Sequence, residues 1–302
     1  MEGPSHPFPP THVDLLDRAL SAVLTTHLPD GRLQSTVVWF WRDGGELLVS
    51  TMVEFRKARN MLANPRATLL VLEPDGACRW LEVRAEVRPV PGDGMADLDA
   101  AGRRYTGVAP YFGAVVPAEL TEVEHPLTFR LLPTAVVAGP FPPRPRTGDA
   151  FAGGLPGWAP TREDTHLPAS HHDLFDRPLL ASLGTRMPNG SAQTQPVWCG
   201  RDGDVVVLAT TLERRKGRNL IADPRATVLV IDPADSSRWI EVRGDVELVT
   251  DGAVEVLDRL SRAYTDAPAY YGYIGAAALA GRETRATARL HPRRVNCDAI
   301  HR

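Results

Sequence analysis

The feature that most constrains this chain is an internal repeat in which residue n matches residue n + 159. RKARN at 56–60 matches RKGRN at 215–219, and RWLEVR at 79–84 matches RWIEVR at 238–243. Three shorter motifs keep the same spacing: PDG at 29–31 with PNG at 188–190, RDG at 42–44 with RDG at 201–203, and PRAT at 65–68 with PRAT at 224–227. A fixed period indicates a duplicated structural unit. The 302 residues therefore predict two copies of one domain.

A proline-rich segment separates the two copies. Residues 140–169 contain seven prolines and a Gly-Gly pair. Proline at this density opposes both helix and sheet, so the segment is predicted to be a semi-rigid linker. The predicted domains are residues 11–139 and 170–302.

Each copy is predicted to consist mainly of strands with a few small helices. β-branched and aromatic runs alternate with Gly, Asp and Pro turn signals, which is typical of antiparallel strands. In the first copy the expected strands are 22–28, 34–42, 46–51, 67–73, 79–90 and 127–137, and the expected helices are 14–20, 54–62 and 93–105. This order predicts an α+β domain built on a closed or nearly closed antiparallel barrel.

Composition excludes several classes of function. The formal net charge of −3 provides no overall basic field for nucleic acid. No apolar run approaches the roughly 20 residues that span a bilayer, so no membrane partner is expected. Three scattered cysteines argue against disulfides and structural zinc, and no metal site is predicted. Because residues 1–10 also lack the features of a secretory signal, we expect a cytoplasmic protein.

The two lysines indicate a candidate binding site. They are the only lysines among 34 basic residues, and Lys57 and Lys216 occupy equivalent repeat positions. A strand is predicted to end at Ser50 and Thr51, and a helix begins shortly afterwards. Helix N-termini attract anions, and lysine presents a compact charge where the planar arginine fork does not fit. The pattern predicts a phosphate site; the alternative is a solvated basic helix face preserved by duplication.

A second candidate is the strand that contains Trp80 and its equivalent Trp239. Alternation places Trp80, Glu82 and Arg84 on one side of the strand, which predicts an ion pair between the last two. The tryptophan either borders a planar ligand or packs in a core or interface. No Ser–His–Asp set recurs in both copies, so no catalytic residue is assigned. A bound cofactor is therefore expected to supply the chemistry.

The combination of these motifs resembles the pyridoxamine 5′-phosphate oxidase-like split β-barrels. It is most similar to the branch of flavin and deazaflavin oxidoreductases that uses coenzyme F420. The resemblance covers most of each copy and implies a six-stranded, FMN-binding-type split barrel. Members of this family normally form homodimers with cofactor sites at the subunit interface. Two fused copies therefore imply an intramolecular pseudo-dimer.

The resemblance also implies which residues contact the cofactor. They are Ser50, Thr51, Arg56, Lys57, Asn60 and Trp80 in the first copy, and Thr210, Arg215, Lys216, Asn219 and Trp239 in the second. The copies differ nearby, since Phe55 corresponds to Arg214 and Ser50 to Ala209. Unequal sites are therefore expected.

The function implied by the resemblance is an F420-dependent reductase. It would transfer a hydride from the deazaflavin to an electron-poor C=C or similar group of a small organic molecule. Reductases of tetracycline-type intermediates in the family suggest a role in antibiotic biosynthesis. Arg59 and Arg218, which suit a longer anionic tail, favour F420 over FMN. The alternatives are an FMN-dependent oxidase or flavin reductase, and a non-catalytic cofactor-binding module.

Overall fold

The computed structural model describes residues 7–74, 79–92, 94–140 and 165–298. The chain divides into two compact units, which correspond to the two copies of the repeat and are called unit 1 and unit 2. Most of the predicted linker lies outside the described residues. At its described ends, Pro140 completes a strand and Ala169–His171 forms a short 3₁₀ helix.

The two units contain the same α-helices and strands in the same order. Unit 1 comprises α1 (Val13–Asp17), β1 (Ala22–His27), β2 (Leu33–Val38), β3 (Trp41–Asp43), β4 (Glu46–Met52), α2 (Arg56–Ala63), β5 (Arg66–Leu72), β6 (Arg79–Pro89), α3 (Met95–Thr106) and β7 (Pro126–Pro140). Unit 2 comprises α4 (Asp173–Asp176), β8 (Ala181–Arg186), β9 (Ala192–Val197), β10 (Cys199–Asp202), β11 (Val205–Thr211), α5 (Arg215–Ala222), β12 (Arg225–Ile231), β13 (Trp239–Val249), α6 (Ala253–Thr265) and β14 (Arg285–Cys297).

Each unit is one curled antiparallel sheet. The strand order in unit 1 is β2-β1-β5-β6-β7-β4-β3, and unit 2 has the equivalent order β9-β8-β12-β13-β14-β11-β10. The two edge strands of each sheet are consecutive in the chain, because β2 ends at Val38 and β3 begins at Trp41. The sheet must therefore curl until its edges meet, which gives two tandem split β-barrels.

The sheets have seven strands where the sequence predicted five or six. The strand expected over 34–42 is divided after Val38, since Trp39 and Phe40 belong to neither β2 nor β3. The hydroxyl of Tyr105 on α3 bonds both backbone groups of Phe40, donating to its oxygen at 2.7 Å and accepting from its nitrogen at 3.1 Å. Tyr264 repeats this arrangement at Cys199. A long-range side-chain contact thus fixes the corner between the two edge strands.

The barrel interior is apolar. In unit 1, Leu24, Val49, Leu69, Leu81 and Phe129 from five successive neighbours in the sheet are fully buried. Burial of such side chains contributes about 1.5–3 kcal/mol each. A second apolar cluster joins the end of β4 to α3 and the loop that follows it, and therefore holds the turn between β4 and α2 in place. None of the helices in the described ranges is long and apolar enough to cross a membrane.

Candidate functional site

The helix α2 begins directly after the loop that follows β4, and no side chain caps its N-terminus. β4 ends at Met52 and α2 begins at Arg56, with Phe55 in the capping position and no side-chain cap hydrogen bond. In unit 2, α5 follows β11 in the same way, with Arg214 in the capping position and again no side-chain cap. Because the first helical N–H groups have no partners within the helix, this geometry favours an anionic ligand.

Lys57 and Lys216 both lie on the first turn of these helices and are half-buried. Among the described residues neither lysine forms an ion pair, and the Lys57 Nζ lies 5.3 Å from the centre of the Phe55 ring. Burial lowers the pKa of Lys57 to about 8. Burial also lowers the pKa of Lys216 to about 8, assisted by the positive charges of Arg214 and Arg285. A half-buried ammonium group without a carboxylate is an unbalanced charge, which a bound anion would neutralise.

Hydroxyl groups without partners lie at the ends of the same strands. The Oγ of Ser50 and the Oγ1 of Thr51 are buried and have no hydrogen-bond partner. In unit 2, Thr210 donates only a long bond of 3.4 Å to the oxygen of Thr211, whose own Oγ1 has no partner. An unsatisfied buried hydroxyl costs about 1–3 kcal/mol. These hydroxyls, with the lysines, are a donor set that fits the phosphate group of the cofactor implied by the sequence.

Asn60 and Asn219 are directed towards their own barrels. The Nδ2 of Asn60 donates to the Oγ1 of Thr26 and to the Oε1 of Gln34, both at 3.0 Å. Asn219 makes the same two bonds in unit 2, also at 3.0 Å. Both amide protons are therefore used within the barrel, and these residues have no free donor for a phosphate. The structure gives them a positioning role, because they attach each helix to two strands.

The arginines of these helices remain at the surface. Arg56, Arg59 and Arg218 are exposed, and within the described ranges they form no ion pair. Arg215 is also exposed, and its guanidinium contacts the sulfur of Met187 at 3.9 Å. Their positions suit contacts with an extended anion, and they equally suit a solvated basic face.

The two tryptophans differ in exposure. Trp80 is half-buried and packs against Gly139, where a Cβ would come within 3.1 Å of the indole. Trp239 is only 2% exposed, so its ring has little surface for a ligand. The indole N–H of each has no hydrogen-bond partner. On the same strand, Arg84 and Glu82 form the predicted ion pair at 2.8 Å.

A charged cluster in unit 2 was not predicted. The guanidinium of Arg285 donates to the hydroxyl of Tyr271 at 2.8 Å and pairs with Glu283. It also stacks over Tyr270, 4.6 Å from the ring centre. These residues lie beside α5, since Arg214 approaches Glu283 at 3.6 Å. The sequence signal for this cluster is the difference between the two copies of the repeat at these positions.

Unit 1 keeps the glutamate of this cluster and, as Tyr111, the tyrosine over which Arg285 stacks. The positions of Tyr271, Glu283 and Arg285 are occupied by Phe112, Glu124 and Pro126. Glu124 is 7% exposed, and its Oε2 has no hydrogen-bond partner. Burial, and secondly the charge of Glu54, raises the pKa of Glu124. The two units therefore differ in chemistry at equivalent places.

One family profile and several solved structures match parts of the chain. The sequence profile of the pyridoxamine 5′-phosphate oxidase family matches residues 8–126 and 167–296. Among solved structures, an F420 reductase is 31% identical and covers 43% of this chain and 98% of its own, with a TM-score of 0.38. A conserved hypothetical protein from Mycobacterium tuberculosis is 23% identical, with coverages of 46% and 89% and a TM-score of 0.35. The heme storage protein HutZ from Vibrio cholerae is 22% identical, with coverages of 43% and 94% and a TM-score of 0.34.

No curated protein sequence matches the chain. The family profile, in contrast, covers most of both units. The chain therefore belongs to the pyridoxamine 5′-phosphate oxidase family, and it contains two tandem copies of the domain of that family.

Proposed function

We propose that this protein is an oxidoreductase that binds coenzyme F420 through its phosphate at the strand–helix turn. One observation carries the proposal. In both units a half-buried lysine that pairs with no described carboxylate lies on an uncapped helix start. Beside it are buried hydroxyls without a hydrogen-bond partner among the described residues, which are those of Ser50 and Thr51 in unit 1 and that of Thr211 in unit 2. Charge-assisted hydrogen bonds from ammonium, hydroxyl and backbone N–H groups are the usual means of holding phosphate.

In this proposal the residues of the chain bind and orient the cofactor, and the cofactor supplies the chemistry. The bound deazaflavin supplies a hydride to an electron-poor C=C or similar group of a small organic molecule. Lys57 or Lys216 and the neighbouring Thr51 or Thr210 fix the phosphate, and the asparagine of the same helix keeps that helix against the barrel. A fixed phosphate holds the ring in one orientation, which lowers the entropic cost of reaction.

The choice of coenzyme F420 over FMN and the proposed substrate class have separate support. Arg59 and Arg218 are exposed one turn or less from the lysines, where they suit the longer anionic tail that distinguishes F420 from FMN. The resemblance to reductases of natural-product intermediates favours a tetracycline-type enone as the substrate class.

Cofactor titration tests the proposal. Purified protein is titrated separately with F420 and with FMN, and binding is followed by absorbance and fluorescence. We expect F420 to bind more tightly, and Lys57→Ala combined with Lys216→Ala to weaken binding at least about tenfold. Arg103→Ala, which removes an exposed charge from α3, serves as the control and should leave binding unchanged.

Other results would overturn parts of this proposal. A yellow preparation with tight FMN binding would replace F420 with FMN. Binding of neither molecule would favour a non-catalytic role. Unchanged binding by the double lysine variant would show that the phosphate lies elsewhere.

A further inference from the structure

The two strand–helix turns are equivalent in the repeat but differ in charge. Residues 213–219 and 283–285 of unit 2 contain five Lys or Arg and two Glu. The equivalent residues 54–60 and 124–126 of unit 1 contain three Lys or Arg, two Glu and one His. The difference arises at two positions, where Arg214 replaces Phe55 and Arg285 replaces Pro126.

Of the two additional charges of unit 2, Arg285 is buried and held in place, while Arg214 is exposed. Arg285 has an 8% exposed side chain, stacks over Tyr270 and donates to the hydroxyl of Tyr271. Glu283 faces both Arg285 and Arg214, so one carboxylate is shared by two guanidinium groups. With Glu213, whose carboxylate accepts from the N–H of Thr284, the turn has two carboxylates for five Lys or Arg, so positive charge is in excess beside Lys216. Fixed charges in a partly buried site interact more strongly than charges in bulk water.

A buried hydroxyl without a hydrogen-bond partner among the described residues lies at the loop between β11 and α5. Thr211 ends β11, is 1% exposed, and its Oγ1 has no hydrogen-bond partner. The helix α5 packs directly on this residue, because a Cβ at Gly217 would overlap the carbonyl oxygen of Thr211. In unit 1 the positions of Thr211 and Gly217 are occupied by Met52 and Ala58. Unit 2 thus has a buried donor beside its helix start where unit 1 has a thioether side chain.

The equivalent turn of unit 1 is less suited to an anion. The Lys57 ammonium lies over the Phe55 ring, which supplies part of the stabilisation that an anion would give. Glu124 is buried without the arginine that Glu283 has, and Glu54, the equivalent of Glu213, pairs with His125 at 2.6 Å. An anion bound at this turn would meet these carboxylates without the two arginines.

We propose that unit 2 holds the anionic phosphate end of the ligand at the start of α5, with Arg214 and Arg285 as specificity-determining residues, and that unit 1 binds such an anion more weakly. This inference rests on the proposed function and assigns it to one of the two units. Two additional nearby charges correspond to a preference for unit 2 of at least about tenfold.

The presence of only two lysines permits a direct test. Protein labelled with ¹³C and ¹⁵N in lysine alone contains two labelled side chains, which are assigned with Lys57→Arg and Lys216→Arg. The ¹³Cε shift of each lysine is followed by NMR against pH, first without ligand and then with inorganic pyrophosphate. The same protein is then titrated with F420 and with FMN.

We expect pyrophosphate to move the Lys216 titration to higher pH, because a neighbouring anion favours the ammonium form. Lys57 should respond only at concentrations at least about tenfold higher. The inference is overturned if Lys57 responds at the same or lower concentration, or if neither lysine responds. A response of Lys216 to pyrophosphate but to neither cofactor would support the anion site while contradicting the proposed function.

Exchanging the charged positions tests the cause of the preference. Phe55→Arg with Pro126→Arg should bring the response of Lys57 to pyrophosphate within about threefold of that of Lys216. Arg214→Phe with Arg285→Leu should weaken the response of Lys216 at least about tenfold. Thermal unfolding confirms that each variant is folded. The first variant is expected to strengthen pyrophosphate binding in unit 1, so this test does not depend on damage to unit 2. An unchanged response of Lys57 to pyrophosphate would refute the role of the arginines.

Discussion

The side-chain amide of Asn219 donates to the Oε1 of Gln193 at 3.0 Å, and both residues are buried. The equivalent Asn60 makes the same bond to Gln34 in unit 1. In each unit this contact attaches the helix that follows the candidate phosphate turn to the second strand of the barrel. It is a structural contact at a position where the family resemblance implied a ligand contact.

Loss of this amide should destabilise unit 2. Asn219→Ala leaves the buried oxygens of Gln193 and Thr185 without a donor, which costs about 1–3 kcal/mol. Urea denaturation would show the loss as a lower transition midpoint. Asn64→Ala, at the end of α2, is the control and should change the midpoint little, since no side-chain hydrogen bond is formed there. Equal effects of the two substitutions would contradict the positioning role.

The backbone order of each barrel was largely predictable from the sequence, because strand periodicity and turn signals are local. The predicted helix over 54–62 corresponds to α2 at Arg56–Ala63. The division of the strand over 34–42 was not predictable, since it depends on Tyr105, 65 residues away from Phe40. The direction of the Asn60 amide depends likewise on contacts with Thr26 and Gln34. Helical spacing identifies neighbours on a helix but not the strands against which it packs.

Gly217 should be required for the packing of α5. Alanine is favoured over glycine within helices by about 1 kcal/mol, so helix propensity alone predicts that Gly217→Ala stabilises the protein. The structure predicts the opposite sign, because the added Cβ would overlap the carbonyl oxygen of Thr211. Calorimetry should show a lower melting temperature for Gly217→Ala.

Ala58→Gly, at the equivalent position of α2, is the matched comparison. It should also lower stability, by about 1 kcal/mol, through helix propensity and loss of a buried methyl group. A higher melting temperature for Gly217→Ala would show that α5 moves away from β11 at little cost.

The two lysines should reduce the stability of the ligand-free protein. Burial lowers the pKa of each to about 8, so between pH 8 and the ordinary lysine value of 10.5 the unfolded chain binds more protons than the folded chain. Stability from this source therefore increases as pH rises through that interval. Lys57→Met with Lys216→Met should raise the melting temperature at pH 7, and the difference should shrink towards pH 10.

An exposed cation provides the control for this pH dependence. Arg218→Met removes a charge from the first turn of α5, at a position where the side chain is exposed. Its effect on the melting temperature should be small and nearly constant from pH 7 to pH 10, since an arginine keeps its charge throughout that range. If the effect of the double lysine variant on the melting temperature is equally constant with pH, the ammonium groups are fully solvated in the folded chain.

Glu124 and Glu283 should respond in opposite directions to the same substitution. The Oε2 of Glu124 is buried with no hydrogen-bond partner among the described residues, and the pKa of Glu124 is raised. In the interval between its ordinary and its raised pKa the folded chain therefore binds more protons than the unfolded chain. Stability from this group is therefore present at low pH and is lost as pH rises through the raised pKa. Glu124→Gln removes the cost of ionisation and should stabilise the protein at pH 7 but not at pH 4.

Glu283→Gln has the opposite consequence because it removes a charge that Arg285 and Arg214 share. The guanidinium of Arg285 would then be buried without a carboxylate, and breaking such a pair costs about 3–5 kcal/mol. Thermal unfolding of both variants at pH 4 and pH 7 measures the contrast. If Glu124→Gln is destabilising at pH 7, the carboxyl group of Glu124 has a favourable partner, and the argument that unit 1 lacks a compensating charge fails with it.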